Sequence, residues 1–356
     1  MNNTLLSADF APLPNLAEPR WWTGTPALPP KLFTIDGDEF RVNGAPLEPS
    51  KELAERMQKT FNDVGLVHVI NTGLDKLQSM RLIATQVIKT QRDYEGGANP
   101  RKSLEANVYE VGAPLEAWLH YHHEMAYIGS STTMVGFLCH KMPSEGGYTF
   151  VSDSVQATNA ILATPFGQKL KDLGICYHRN LTDRREFVGV PEVGVYNHWQ
   201  QSMMTEDPDE AIAEARKRGL DAEWGDNGLL KTRYTVSAFE YFPQLDRNLL
   251  YSSMADDSAW FDTWPLVQHL PISDRPLKLT FGDGSEMTYD EKQLFLDVYD
   301  DYGIPIEWEV GDVALICNYR FAHGRPAVHV KEGEERELGV LIGDAFDRLQ
   351  TFDDKW

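Results

Sequence analysis

Cysteine is scarce in this chain: three in 356 residues, Cys139, Cys176 and Cys317, far apart and with no CxxC pairing. An odd, scattered set excludes a disulfide framework and a zinc ribbon, and a reducing, cytoplasmic compartment is expected. Basic residues are also short, 33 Lys and Arg against 54 Asp and Glu, for a formal net charge of −21. Such a surface repels phosphate backbones and anionic lipid, so neither nucleic acid nor a membrane surface is expected as a partner. An anionic ligand would need a local positive group to hold it. No apolar run approaches the roughly 18 residues of a membrane span. The opening MNNTLLSADFAPLPNLAEPRWW has no basic start followed by an apolar block, so no signal peptide is expected. Internal repeats and low-complexity tracts are missing as well, which removes solenoid architectures.

What is present suffices for a packed core, with 42% hydrophobic and 11% aromatic residues. Residues 1 to about 32 are Pro-rich without periodicity and read as an irregular arm, and the N-terminal arm is bounded at 1–48. Pro49-Ser50 opens a helix in which Leu53, Met57 and Phe61 recur every fourth residue, stopped near Gly65. Leu66 to Ile70 reads as a buried strand, followed by a turn at Asn71-Thr72-Gly73 and a second helix over about Lys76 to Lys89. From Asn107 the texture changes to short segments between turns: a core strand Thr132 to His140, a tight turn Pro143 to Gly147, then Tyr148 to Val151. Two short helices fill Val155 to Leu173. A lid-like insertion is expected around 180–228, with Asp207 capping a helix that Gly219 stops. Gly282-Asp283-Gly284 reads as a hairpin turn, and Thr288 with Glu291 as a capping box for a helix to Tyr302. Ile306 to Val310, Val313 to Asn318 and Leu338 to Ile342 read as strands. Many short strands behind helices predict a mainly β fold with helical cover, a β sandwich or barrel, as one catalytic domain over 49–356.

The chemistry concentrates in Ala117 to Tyr127, AWLHYHHEMAY. Residues one apart on an extended strand share a face, so His122 and Glu124 can converge on one point. A third ligand must come from far along the chain, and His323 in CNYRFAHGRPAV is the candidate. Two histidines and one carboxylate leave three adjacent positions of an octahedron for other ligands, the pattern of non-haem iron(II) oxygenases. A structural zinc site would be closed by four protein ligands, usually with thiolates. An isolated HxE occurs often by chance, and His120, His122 and His123 could form a mere surface cluster. The flanking segments decide between these readings.

HHEMAY, then PSEGGYTFVSDS (Pro143 to Ser154), then WEVGDVALICNYRFAHGR (Trp308 to Arg325), together resemble the taurine dioxygenase-like (TauD/TfdA) superfamily of iron(II)/2-oxoglutarate oxygenases. The glutamate in the motif is similar to the clavaminate synthase-like members and the syringomycin-type aspartyl hydroxylases. The match runs from about 50 to 345. The resemblance implies a double-stranded β-helix, or jelly roll, with His122, Glu124 and His323 on iron. It further implies that Thr149 hydrogen-bonds the distal carboxylate of 2-oxoglutarate and that Arg336, thirteen residues after His323, pairs with that carboxylate. The guanidinium fork suits this independently of the family. Arg336 could instead be a solvated charge in EGEERE, and Arg325 is its rival, facing substrate or co-substrate. Trp308, Gly311 and Asp312 read as fold. Trp199 and Gln200 fall in the expected lid, where the family tends to carry a similar pair, and core packing of Trp199 competes with a substrate role. Relatives tend to have Asn-Gln where this chain has LLYSSMADD, so Tyr251 and Ser252 are placed at the substrate wall.

The expected activity is hydroxylation of an unactivated C–H bond of a small amino-acid-like substrate, free or carrier-tethered, with Fe(II), 2-oxoglutarate and O₂ consumed as the resemblance implies. Two alternatives stay open on residues alone: an iron oxidase that needs no 2-oxoglutarate, and a jelly-roll metal-binding protein without turnover.

Overall fold

The computed structural model describes residues 26–348 apart from 95–100, 113–114, 116–117, 186–196, 226–227, 255–272 and 274. Two sheets face each other across an apolar layer. The larger has seven strands, in the order Thr34–Asp36, Leu66–Ile70, Val313–Cys317, Ser130–Lys141, Glu337–Asp347, Val108–Glu110 and Ser103–Glu105. The smaller has four: Gly303–Ile306, Thr149–Asp153, Phe321–Arg325 and Leu119–His122. Apart from the adjacent pair Ser103–Glu105 and Val108–Glu110, neighbours are distant in sequence, and all pair antiparallel except the parallel edge of Thr34–Asp36 on Leu66–Ile70. Phe137, Val151, Ile304, Ile316, Phe321 and Val340 from both sheets meet in one buried cluster. This is the jelly roll, and its interior holds the site.

Helices cover the outer face of the large sheet. Ser50 caps Lys51–Val64 by accepting from Leu53 N, and Gly65 ends it at φ 81°, a left-handed backbone that suits glycine. Its Leu53, Met57 and Phe61 are buried, each contributing about 2 kcal/mol relative to exposure. A second core lies under the helices Ser154–Leu162, Pro165–Leu173 and Tyr289–Asp301, the last opened by the Thr288–Glu291 capping box. It is completed by the sheet of Leu277–Phe281, Ile175–Leu181, Leu230–Val236 and Asp221–Trp224.

Two expectations need correction. Ile306 to Val310 is not a strand: the strand is Gly303–Ile306, and alternation beyond it is spent on a bend. The Trp308 indole donates to Thr149 Oγ1 at 3.0 Å, Asp312 Oδ2 accepts from Glu309 N at 3.0 Å, and Val310 is left exposed. The second helix is Leu77–Ala84, ending short where Thr85 folds its hydroxyl back to the Leu82 carbonyl. The expected arm contributes Thr34–Asp36 to the large sheet, while residues 1–25 lie outside the described residues. The insertion carries helices Trp199–Met203 and Pro208–Lys217, with Asp207 capping the second. No helix among the described residues is long and apolar enough to cross a membrane.

Candidate active site

Strands Leu119–His122 and Phe321–Arg325 pair so that His122 stands opposite His323, with 4.4 Å between ring centroids. The register then shifts between His323 and Arg325. Gly324 permits this approach, since a Cβ there would lie 2.3 Å from Phe150 Cε2 and 2.4 Å from the Leu119 carbonyl oxygen.

Glu124 joins the pair by a different route from strand alternation. The strand ends at His122, and Glu124 lies in a turn in which Met125 takes a φ of 59°. The turn is clamped from behind by Asn318, which bonds both backbone groups of Glu124. One ligand atom each from His122, Glu124 and His323 then lies within 4.8 Å of the others.

The donor chemistry fits a divalent metal. His122 Nδ1 is 2.8 Å from the His120 carbonyl oxygen, which can only accept, so the ring proton sits there and the Nε2 lone pair is left for an ion. Burial, reinforced by neighbouring His122, pushes His323 down to about 4, which keeps it in the neutral, ligating form. Burial alone would raise the Glu124 carboxyl, but the Arg101 guanidinium and the His323 ring overcome it and hold it well below the usual carboxylate range. Glu124 Oε1 accepts from Arg101 Nη2 at 2.9 Å and from the Tyr94 hydroxyl at 3.2 Å, while Oε2 lies 3.6 Å from His323 Nε2.

The triad opens on a cavity of about 980 Å³, counting its mouth, which Thr149, Arg325 and Arg336 also line. Arg336 is 9% exposed, and its Nε and Nη2 donate to the Gly147 carbonyl at 3.1 and 3.0 Å. Gly147 sits at φ 84°, so the bend that presents this carbonyl suits glycine. Among the described residues no carboxylate pairs with Arg336, and burial pulls it down to about 10. A buried cation with no anion is costly by itself and suits an anionic ligand. Arg325 is engaged differently: its Nη1 donates to the carbonyls of Leu115 and Pro326 at 2.9 and 3.1 Å.

Four expected substrate residues are elsewhere. Trp199 is core, edge-on to Trp224, and Gln200 bonds Asp183 and the Arg184 backbone; neither is among the described residues lining the cavity, although nearby Asn197 is. Tyr251 stacks on His123 at 4.5 Å and bonds Ser131 and Asn318, while the Ser252 carbonyl accepts from His123 N at 2.9 Å. Both support the backbone behind Glu124 instead of facing the cavity, because their segment packs as a second layer under that turn. His120 and His123 are buried and stand outside the triad. Residue reasoning overlooked Tyr94, Arg101, Arg179 and Asn318. Asn318, the polar residue that closes the apolar run VALIC, carried a signal; Arg101 in a polar loop did not.

A curated protein of Arabidopsis thaliana described as clavaminate synthase-like is 28% identical over 237 residues, 65% of this chain and 68% of that one. A crystal structure described as AAD-2 in complex with Mn(II) and N-oxalylglycine superposes with a TM-score of 0.50 at 13% identity, covering 89% of this chain and 96% of that one. That likeness bears on the fold. The model of the taurine catabolism dioxygenase TauD, TfdA family matches residues 28–341. The chain therefore belongs to that family, and is an iron(II)- and 2-oxoglutarate-dependent dioxygenase.

Proposed function

We propose that this chain, in the cytoplasm, hydroxylates an unactivated C–H bond of a small amino-acid-like substrate, free or tethered to a carrier protein. One oxygen atom of O₂ goes to the substrate, the other to succinate, and 2-oxoglutarate loses CO₂. One observation carries this reading. A single cavity holds both the His122, Glu124, His323 donor set and Arg336, a buried guanidinium that pairs with no carboxylate among the described residues.

His122 Nε2, Glu124 Oε2 and His323 Nε2 are assigned to iron(II). Arg336 is assigned to the distal carboxylate of 2-oxoglutarate, with Thr149, two residues from the carbonyl that holds Arg336, hydrogen-bonding the same group. Bound here, iron with its co-substrate and O₂ supplies the oxidising power for C–H cleavage. The chain's own part is placement. Arg101 and Tyr94 hold Oε1 of Glu124, which leaves Oε2 toward the histidines. Leu119, Phe137, Leu338 and Val340 give the same cavity an apolar stretch of wall, which limits water beside the reacting C–H. Arg325 is assigned to the inner wall toward substrate or co-substrate. With Glu124 present as third ligand, no protein position is given up to a halide, and hydroxylation is expected over halogenation.

Anaerobic addition of Fe(II) and 2-oxoglutarate to the purified protein tests this. A weak visible metal-to-ligand charge-transfer band is expected, and a folded protein that never develops it refutes the assignment. Substrate is then sought by succinate release over free and carrier-bound amino acids.

A further inference from the structure

Trp308, read from the sequence as part of the fold, stands one hydrogen bond from the cavity, through Thr149. Register brings the two together. Thr149 pairs with Ile306, and the strand Gly303–Ile306 ends at that pair. Asp312 Oδ2 then accepts from Glu309 N at 3.0 Å, and the bend so formed turns the Trp308 indole onto Thr149. The indole is 8% exposed and is met edge-on by His68 and Phe137, with ring centroids 5.4 and 6.3 Å away. His68 is in turn tied to Asp312, Nε2 to Oδ2 at 3.0 Å. One aspartate therefore holds both the bend and a ring that backs the indole.

The direction of the Trp308–Thr149 bond carries chemistry. An indole N–H can only donate, whereas a hydroxyl has one proton to give and two lone pairs with which to accept. Trp308 Nε1 lies 3.0 Å from Thr149 Oγ1, so Thr149 is the acceptor and keeps its own proton. Thr149 is 3% exposed and lines the cavity that also holds Arg336. Its hydroxyl has no other hydrogen-bond partner among the described residues. With one lone pair held by the indole, the O–H is turned off the Trp308 side and left for an acceptor entering the cavity. A buried hydroxyl proton without an acceptor is costly, and an anion bound there recovers that cost.

We propose that Trp308 is a positioning residue for the co-substrate: its indole N–H fixes the Thr149 hydroxyl as a donor to the distal carboxylate of 2-oxoglutarate. This rests on the oxygenase reading and deepens it. Arg336 supplies charge at that end of the cavity, and the oriented hydroxyl adds a direction. The consequence is selectivity among 2-oxo acids. 2-Oxopentanoate, which carries a methyl where 2-oxoglutarate carries its far carboxylate, offers the hydroxyl nothing to bond, so the Trp308–Thr149 pair favours 2-oxoglutarate alone. Trp308 is not among the described residues that line the cavity, and its effect passes through Thr149.

The test titrates the full Fe(II)-loaded chain anaerobically with each 2-oxo acid and reads Kd from the charge-transfer band. Trp308→Phe keeps the aromatic packing and removes the donor. It is expected to raise the Kd of 2-oxoglutarate about fivefold to tenfold, the worth of one hydrogen bond, and to leave that of 2-oxopentanoate within about twofold. Thr149→Val should weaken 2-oxoglutarate by about 10- to 100-fold, and the double variant should be no weaker than Thr149→Val alone. A Trp308→Phe chain that binds 2-oxoglutarate normally, that loses both acids equally, or whose loss adds to that of Thr149→Val overturns the role. Should Trp308→Phe fail to fold, the Zn(II)-loaded chain with ¹⁵N-labelled indoles decides. The indole resonance displaced in Thr149→Val should also move with 2-oxoglutarate and stay put with 2-oxopentanoate; any other pattern overturns the role. Arg336→Gln is the control. Absence of the band in the unaltered chain sinks the oxygenase reading, and the Trp308 role with it. A band whose 2-oxoglutarate selectivity is lost in Arg336→Gln but kept in Trp308→Phe sinks the Trp308 role alone.

Discussion

Asn318 brackets the backbone of Glu124 from 194 residues away: its Oδ1 accepts from Glu124 N at 2.8 Å, and its Nδ2 donates to the Glu124 carbonyl at 3.0 Å. The same amide reaches the Thr132 carbonyl and the Tyr251 hydroxyl at 2.8 and 2.6 Å. A carboxylate in a turn is therefore held as firmly as one on a strand, by a clamp from the segment that also delivers His323.

Asn318→Leu takes the acceptor from the buried Glu124 N–H, while the Glu124 carbonyl still accepts from Ser131 Oγ and the Tyr251 hydroxyl at 2.9 and 3.1 Å. One buried group without its partner costs about 1–3 kcal/mol, and urea unfolding should show a loss of about that size. Divalent-metal affinity, read with Zn(II) or Fe(II), should fall about 10- to 100-fold as the carboxylate loses its orientation. Unchanged metal affinity would show that the turn holds itself.

Arg336→Gln should raise the Kd for 2-oxoglutarate by about 100-fold, the cost of a charge-assisted pair, with iron affinity intact. The pH dependence has a definite sign. Burial lowers Arg336 to about 10, so the cation is complete below that value and is lost as pH rises through it. Co-substrate binding should be level near neutrality and weaken above about pH 10, approaching tenfold per pH unit. Titration of the charge-transfer band measures both.

Gly324→Ala places a Cβ 2.3 Å from Phe150 and 2.4 Å from the Leu119 carbonyl oxygen. The backbone contact cannot yield without moving the strand that ends in His122. Thermal or chemical unfolding should show about 1–3 kcal/mol of destabilisation, accompanied by weaker metal binding. Stability without change would mean that the two strands separate easily.

Arg348→Met takes from the buried Glu240 the guanidinium with which it pairs at 2.8 Å. Breaking such a pair costs about 3–5 kcal/mol. Arg348 Nη2 also holds the carbonyls of Ser237 and Tyr251 at 3.0 and 3.2 Å, so Arg348→Met combined with Glu240→Leu should recover only part of the loss. A double-mutant cycle by urea unfolding checks this; full recovery would assign the whole effect to the ion pair.

Much of the fold was legible because its signals are local. The stripe of Leu53, Met57 and Phe61, the Ser50 cap, the Thr288–Glu291 box and the apolar VALIC run depend on spacing alone, and each forms as expected. Ile306 to Val310 misled because alternation records which residues are apolar, not whether Asp312 will capture the chain and bend it. Tyr251 misled for a related reason: an aromatic beside a motif can support the motif's backbone as well as face its cavity.

By itself the sequence determined the donor chemistry: two imidazoles, one carboxylate and a basic residue after the last histidine, each written in a short contiguous motif. Only the tertiary structure decided which long-range partners make those donors a site: Asn318 on Glu124 across 194 residues, Arg101 on Glu124 across 23, and Arg348 on Glu240 across 108. A side chain's type is fixed where it stands in the chain, whereas a hydrogen-bond partner distant in sequence is chosen by packing, and no spacing rule encodes that choice.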